Sequence, residues 1–308
     1  MDRLIKAIAE KKNPTVVGLD TRFEFIPEAR VRPGKREVWR RAEAILKYNT
    51  SIVDHVSEYV PAVKVQIAYY EMLGLAGIEC FLETAAYAKK KGLLVMADAK
   101  RNDIGATAEA YAEAFLSTEQ PRDEMFYADY LTVNPYLGED GIRPFIERCA
   151  KHDKGIFVLV KTSNPSSGQL QDQILQNGQK VYRHMGNLVG EWGKNLIEDA
   201  GYSRVGAVVG ATYPEELSEL RATMPHTFFL VPGYGAQGGG AADVIGGFDE
   251  NGTGAIINAS RSVLCAWMRE PWKNEFTPAQ FAQAARAEVI RMRDDITGAM
   301  RKRGVCPW

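Results

Sequence analysis

The sequence predicts an α/β fold: a closed (β/α)8 barrel of the TIM type, built as a single domain across residues 1–308. Three observations carry this reading. Eight short runs rich in β-branched residues alternate with longer segments whose apolar residues recur at helical spacing. Most of these runs are nearly continuous in apolar residues, as strands covered on both faces should be. No linker, repeat or low-complexity tract divides the 308 residues, which leaves about 38 residues for each strand–helix unit. A doubly wound open sheet usually carries a glycine cluster after its first strand, whereas this chain reads Leu19-Asp20-Thr21-Arg22 there.

The predicted strands are Thr15–Asp20, Ala62–Ile67, Leu93–Lys100, Tyr130–Pro135, Gly155–Ser163, Arg204–Thr212, His226–Gly233 and Gly254–Ser260. The clearest helical stripes between and after them are Val38–Tyr59, Cys80–Lys91, Ala106–Leu116, Gly141–Lys151, Gln179–Ala200 and Ala279–Arg303. Thr212-Tyr213-Pro214-Glu215 and Thr277-Pro278-Ala279-Gln280 each fit a capping box with proline in the first turn. Residues 164–179, rich in Gln, Ser and Gly, read as a polar loop insertion. They directly follow the fifth strand, at the end of the barrel where active-site loops belong.

Composition narrows the partners. Lys+Arg at 38 against Asp+Glu at 39 gives a net charge of −1, so neither nucleic acid nor an anionic membrane surface is expected as the main ligand. Cys80, Cys149, Cys265 and Cys306 stand far apart without metal or redox spacing, and read as thiols in a reducing compartment. Met1–Lys12 carries Asp2, Lys6, Glu10, Lys11 and Lys12 among its charged residues and no apolar h-region, and no run reaches the length of a membrane span. A cytoplasmic protein is expected.

In a barrel of this type functional residues sit at the C-terminal ends of strands. Those ends hold Asp20, Lys64, Asp98, Lys100 and Asp103, so two lysines and three carboxylates converge on one face of a mostly apolar barrel. Asp98 and Lys100 are two apart in a strand and share a face by alternation, and Asp103 starts the next loop, from where it can turn back. An alternating array of this kind keeps its members ionised, can deliver a lysine proton to a carbanion and can set a carboxylate against an anionic substrate group. A single Asp–Lys pair at a strand end would read as a solvated rim; five charges from three strands do not. The interleaved lysines compete for the carboxylate oxygens, so no metal set is predicted. The four histidines lie within helical patterns, near a helix end or before a strand, away from every strand C-terminus.

The glycine-rich stretch Gly233–Gly240, with Gln237 inside it, follows the seventh strand, and Ser260-Arg261 closes the eighth. Phosphate is often held between these two loops, by backbone N–H groups that glycine lets approach and by a bidentate arginine.

Asp98-Ala99-Lys100-Arg101-Asn102-Asp103-Ile104-Gly105 resembles the D-x-K-x-x-D-I signature of the orotidine 5′-phosphate decarboxylase family. Asp20, Lys64, Thr107, Gln237 and Arg261 stand where that family's other site residues are expected, so the likeness spans nearly the whole chain. The length and the polar segment after Ser163 resemble the family's larger bacterial branch. The resemblance implies decarboxylation of orotidine 5′-monophosphate to uridine 5′-monophosphate and CO2, the last step of de novo pyrimidine synthesis, with no cofactor. It implies that Lys100 protonates C6 with Asp98 beside the departing carboxylate, and that Lys64 and Asp103 complete the network. It further assigns Asp20 and Lys64 to ribose hydroxyls, Ser163 to the pyrimidine edge, and Gln237 and Arg261 to the phosphate. Asp103 and Thr107 are assigned to the partner's site in a homodimer with a shared active site. Related barrels share part of the signature, so two alternatives stay open: a metal-dependent phosphosugar lyase or isomerase, and a non-catalytic phosphate-ligand-binding barrel.

Overall fold

The computed structural model describes residues 1–27, 36–118, 126, 128–235 and 239–308. Eight parallel strands close on themselves in sequence order: β1 Thr15–Gly18, β2 Ala62–Gln66, β3 Leu94–Arg101, β4 Tyr130–Val133, β5 Gly155–Lys161, β6 Val205–Val209, β7 Phe229–Pro232 and β8 Ala255–Ala259. The eighth returns to the first, with Val16 opposite Asn258 and Val17 opposite Ala259. Around this barrel run α1 Asp2–Lys11, α2 Glu37–Val56, α3 Ala68–Glu71, α4 Gly74–Lys90, α5 Gly105–Leu116, α6 Glu139–His152, α7 Val181–Gly193, α8 Pro214–Thr223, α9 Ala241–Val244, α10 Arg261–Leu264 and α11 Phe281–Arg303.

Period-two alternation divides the strands between two cores. Val17, Val63, Val95, Leu131, Val158, Val209, Val231 and Ile257 face the helices. Val16, Ala62, Met96, Tyr130, Phe157, Val208, Leu230 and Ile256 fill the barrel interior. Helix α1 closes the interior at its N-terminal end with buried Leu4 and Ile8. With the lower end plugged by apolar side chains, the upper inward positions are the ones left for chemistry.

Four local expectations are corrected or refined. The stripe expected over Gln179–Ala200 breaks at Gly193, where a Cβ would collide with Ser203 and Val205; a 3-10 turn and an extended Ile197–Ser203 bridge follow. Thr212 is not a helix cap: α8 starts after Tyr213 with no side-chain cap, and the Thr212 hydroxyl donates to the Ser163 carbonyl at 3.3 Å. The reciprocal Thr277–Gln280 box is present, but it caps a 3-10 turn that delivers the chain into α11. The segment after β5 is not an open loop. It folds as a 3-10 turn, Pro165–Gln169, and an Ile174–Lys180 bridge. Its Asp172 is held by the fully buried Lys161 ammonium at 2.6 Å.

Candidate active site

The alternation that puts Ala62 inside the barrel also puts Lys64 inside, one pleat higher, and likewise Asp98 above Met96 and Thr132 above Tyr130. Lys64 is only 4% exposed, and its ammonium lies 3.1 Å from Asp20 Oδ1 and 2.8 Å from Asp98 Oδ2. The other oxygen of Asp98 accepts from Lys100 Nζ at 2.5 Å and from the Thr132 hydroxyl at 2.9 Å. Asp20, Lys64, Asp98 and Lys100 therefore form one alternating chain of charge across β1, β2 and β3.

Lys100 does not reach this chain by simple alternation. Ala97 pairs with Leu131 and Arg101 with Val133, so Asp98, Ala99 and Lys100 together face Thr132 alone. Within this bulge Lys100 takes a left-handed φ of 49°, a conformation that costs a non-glycine residue of order 1–3 kcal/mol and is concentrated at functional sites. Thr132 clamps the distortion, accepting the Lys100 backbone N–H at 3.0 Å while donating to Asp98. The Lys100 side chain remains 44% exposed, open to the barrel mouth.

The electrostatics follow from burial and pairing. Burial opposes the charge of Lys64, but Asp20 and Asp98 outweigh it and hold the ammonium above the ordinary lysine range. Burial likewise opposes ionisation of Asp98, and Lys64 and Lys100 outweigh it, holding the carboxyl well below the ordinary carboxylate range. The stability contributed by Asp98 is thus present at neutral pH and is lost as pH falls through its depressed folded-state value. That of Lys64 is lost only as pH rises through its elevated one. Lys64→Met should destabilise the fold by about 3 kcal/mol, the lower end for breaking a buried pair, because Lys100 still faces Asp98. Urea denaturation checks the magnitude. The deficit should narrow on acidification, as Asp98 loses the charge that Lys64 had compensated.

Two cavities of about 390 and 400 Å³ open at this end of the barrel. Lys64, Asp98, Lys100 and Thr132 line the first; Asp20, Arg22, Gly233 and Arg261 line the second. Ser163, Pro232 and Asn258 line both and mark where they meet. Thr162 is tied down, its hydroxyl donating to Asn164 at 2.6 Å and accepting from Gln171 at 2.7 Å, whereas the Ser163 hydroxyl makes no hydrogen bond with a described residue. Of the two neighbours, Ser163 is the one open to a ligand.

The remaining candidates sit elsewhere. Asp103 accepts the Ile104 N–H at 2.8 Å at the start of α5 and forms no ion pair with Lys64 or Lys100 of its own chain, so the expected return toward the array does not occur within one protomer. Thr107 is exposed in the first turn of α5. Gln237 lies outside the described residues. Thr132, Asn258 and Arg22 were not singled out from the sequence. Thr132 and Asn258 become visible only once strand parity is carried up to the mouth, and Arg22 stands two residues beyond Asp20.

Residues 16–268 match the family described as orotidine 5′-phosphate decarboxylase / HUMPS. An orotidine 5′-phosphate decarboxylase of Rhodopirellula baltica is 44% identical over 297 residues, covering 96% of this chain and 98% of that protein. One from Clostridium perfringens is 40% identical over 302 residues, covering 98% and 99% respectively. Among solved structures, the OMP decarboxylase of Leishmania donovani superimposes with a TM-score of 0.69 at 29% identity, over 95% of this chain and 97% of that one.

Proposed function

The chain belongs to the orotidine 5′-phosphate decarboxylase / HUMPS family, and from that membership we propose that it converts orotidine 5′-monophosphate to uridine 5′-monophosphate and CO2 without a cofactor. The observation that carries the reading is the Asp20–Lys64–Asp98–Lys100 chain, strained into place by the β3 bulge.

The substrate lies across both cavities, pyrimidine toward Lys100 and phosphate toward Arg261. Breaking the C6–carboxylate bond releases CO2 and leaves its electron pair on C6, where the ring offers no sink. The Lys100 ammonium stabilises that developing charge and donates its proton to C6, forming the C–H bond of the product. Lys100 then regains a proton from water at the open mouth. Asp98, kept ionised by two lysines, orients the Lys100 ammonium and faces the substrate carboxylate. Asp20 and Lys64 address the ribose hydroxyls, Ser163 the pyrimidine edge, and Gln237 with Arg261 the phosphate.

The working unit is a cytoplasmic homodimer in which Asp103 and Thr107 serve the partner's site. Support comes from the loops after β3 and β4, which are joined by the Asn102 side chain donating to the Asn134 carbonyl. These loops expose Ile104, Tyr136 and Leu137, apolar side chains of the kind a partner covers. All four cysteines are free, as a reducing compartment requires, and among the described residues no helix is long and apolar enough to cross a membrane.

Loss of orotidine 5′-monophosphate absorbance in chelator-containing buffer tests the activity. Turnover unchanged by chelator supports the reading, while absence of turnover or dependence on added metal overturns it. Arg261→Ala should raise KM roughly tenfold to hundredfold, the cost of one charge-assisted contact. The loss should be absent on the phosphate-free nucleoside; an equal loss on both substrates would remove Arg261 from the phosphate site.

A further inference from the structure

Asn258 stands at an inward position of β8, one pleat above Ile256, and lines both cavities where they join. It is 8% exposed. A primary amide offers two N–H donors and an accepting oxygen. Here the only hydrogen bond it makes with a described residue is from Nδ2 to the Ser260 hydroxyl, at a long 3.3 Å, and Oδ1 accepts nothing. An amide buried to this degree with its oxygen unpaired and one long hydrogen bond costs folding energy, which a ligand at the cavity junction would offset.

The surroundings are built to keep it there. A Cβ on Gly18 would stand 2.0 Å from Ser260 Oγ and 3.0 Å from Asn258 Oδ1, so the glycine that ends β1 leaves the space these two polar groups occupy. The Ser260 partner in turn directly precedes Arg261 of the phosphate end.

We propose that the Asn258 carboxamide is a substrate contact, hydrogen-bonded to the ribosyl unit of the nucleotide. This rests on the decarboxylase reading. In such a substrate the sugar is the part that bridges base and phosphate. With the base against Lys100 and the phosphate against Arg261, it crosses the junction where Asn258 lies. A sugar hydroxyl both donates and accepts, so it satisfies either polar end of the amide.

The test compares wild type with Asn258→Ala and the near-isosteric Asn258→Leu. Uridine 5′-monophosphate and ribose 5-phosphate are titrated by calorimetry, the latter by competition, and Tm is measured alongside. Both variants should bind both ligands about tenfold more weakly, as for one lost hydrogen bond in a desolvated site, with Tm unchanged or raised because a poorly satisfied amide has been removed. Unchanged affinities, with or without a lower Tm, would overturn the proposal. So would a loss confined to uridine 5′-monophosphate, which would put the contact on the base. Wild-type protein that binds neither ligand overturns the decarboxylase reading itself, and this one with it.

Discussion

Lys100→Ala is expected to lower kcat by roughly 10²–10⁴-fold while uridine 5′-monophosphate binds nearly as before. The asymmetry follows from when the side chain acts. In the ground state the Lys100 ammonium is already occupied by Asp98 at 2.5 Å, so its removal costs a bound nucleotide little. In the transition state it is the group on hand to stabilise the electron pair at C6 and supply the proton, because the buried Lys64 ammonium is already shared between two carboxylates. An interaction made in the transition state and not before it lowers kcat and kcat/KM together. Asp98 stays ionised against Lys64, so folding should be largely retained, which Tm verifies. Steady-state assay of decarboxylation with calorimetric titration of the product separates the two quantities. A variant with wild-type kcat would end the proposed mechanism; one whose product affinity collapses in step with kcat would make Lys100 a binding group instead.

What could be read in the sequence divides along physical lines. Strand order and barrel closure follow from eight apolar runs, since a parallel strand buried on both faces has little choice of composition. The meeting of Asp20, Lys64 and Asp98 follows from strand parity, which local sequence carries. Lys100 came to the right place for an incomplete reason: plain alternation pointed it inward, whereas the structure uses a bulge and a left-handed residue clamped by Thr132. A bulge depends on the register between two strands, and no single strand encodes that. Asn258 was hidden for a related reason. Its neighbours Ala255, Ile256 and Ile257 are all apolar, and only the packing of β8 beside β1 sets Gly18 against it. The overlong Gln179–Ala200 helix failed because Gly193 reads locally as a mildly poor helix former, while its function, close approach to Ser203, is a tertiary fact. Asp103 shows the opposite limit: the motif identifies it, but among the described residues it forms no ion pair with Lys64 or Lys100 of its own chain.

Mixing two inactive variants should recover about a quarter of the sites, and this is the most direct test of where Asp103 works. Lys100 closes the bulge of β3 and faces its own barrel, while Asp103 lies three residues on, at the start of α5 beside the exposed Ile104, where the chain is leaving the mouth. If each site takes Asp103 from its neighbour, Lys100→Ala and Asp103→Ala proteins are both inactive alone. In a mixed dimer one site receives both lesions, and the other receives intact Lys100 from one chain and intact Asp103 from its partner. Random reassortment makes half the dimers mixed, and each restores one of its two sites, hence about a quarter of all sites under two-fold symmetry. Subunits are exchanged in mild denaturant, exchange is verified with an affinity tag on one variant, and decarboxylation is assayed after refolding. Asp103→Asn offers a milder lesion should the alanine variant assemble poorly. Recovery near the expected fraction supports the shared site. Verified exchange without recovery would return Asp103 to its own subunit, and the exposed Ile104, Tyr136 and Leu137 would then need another occupant.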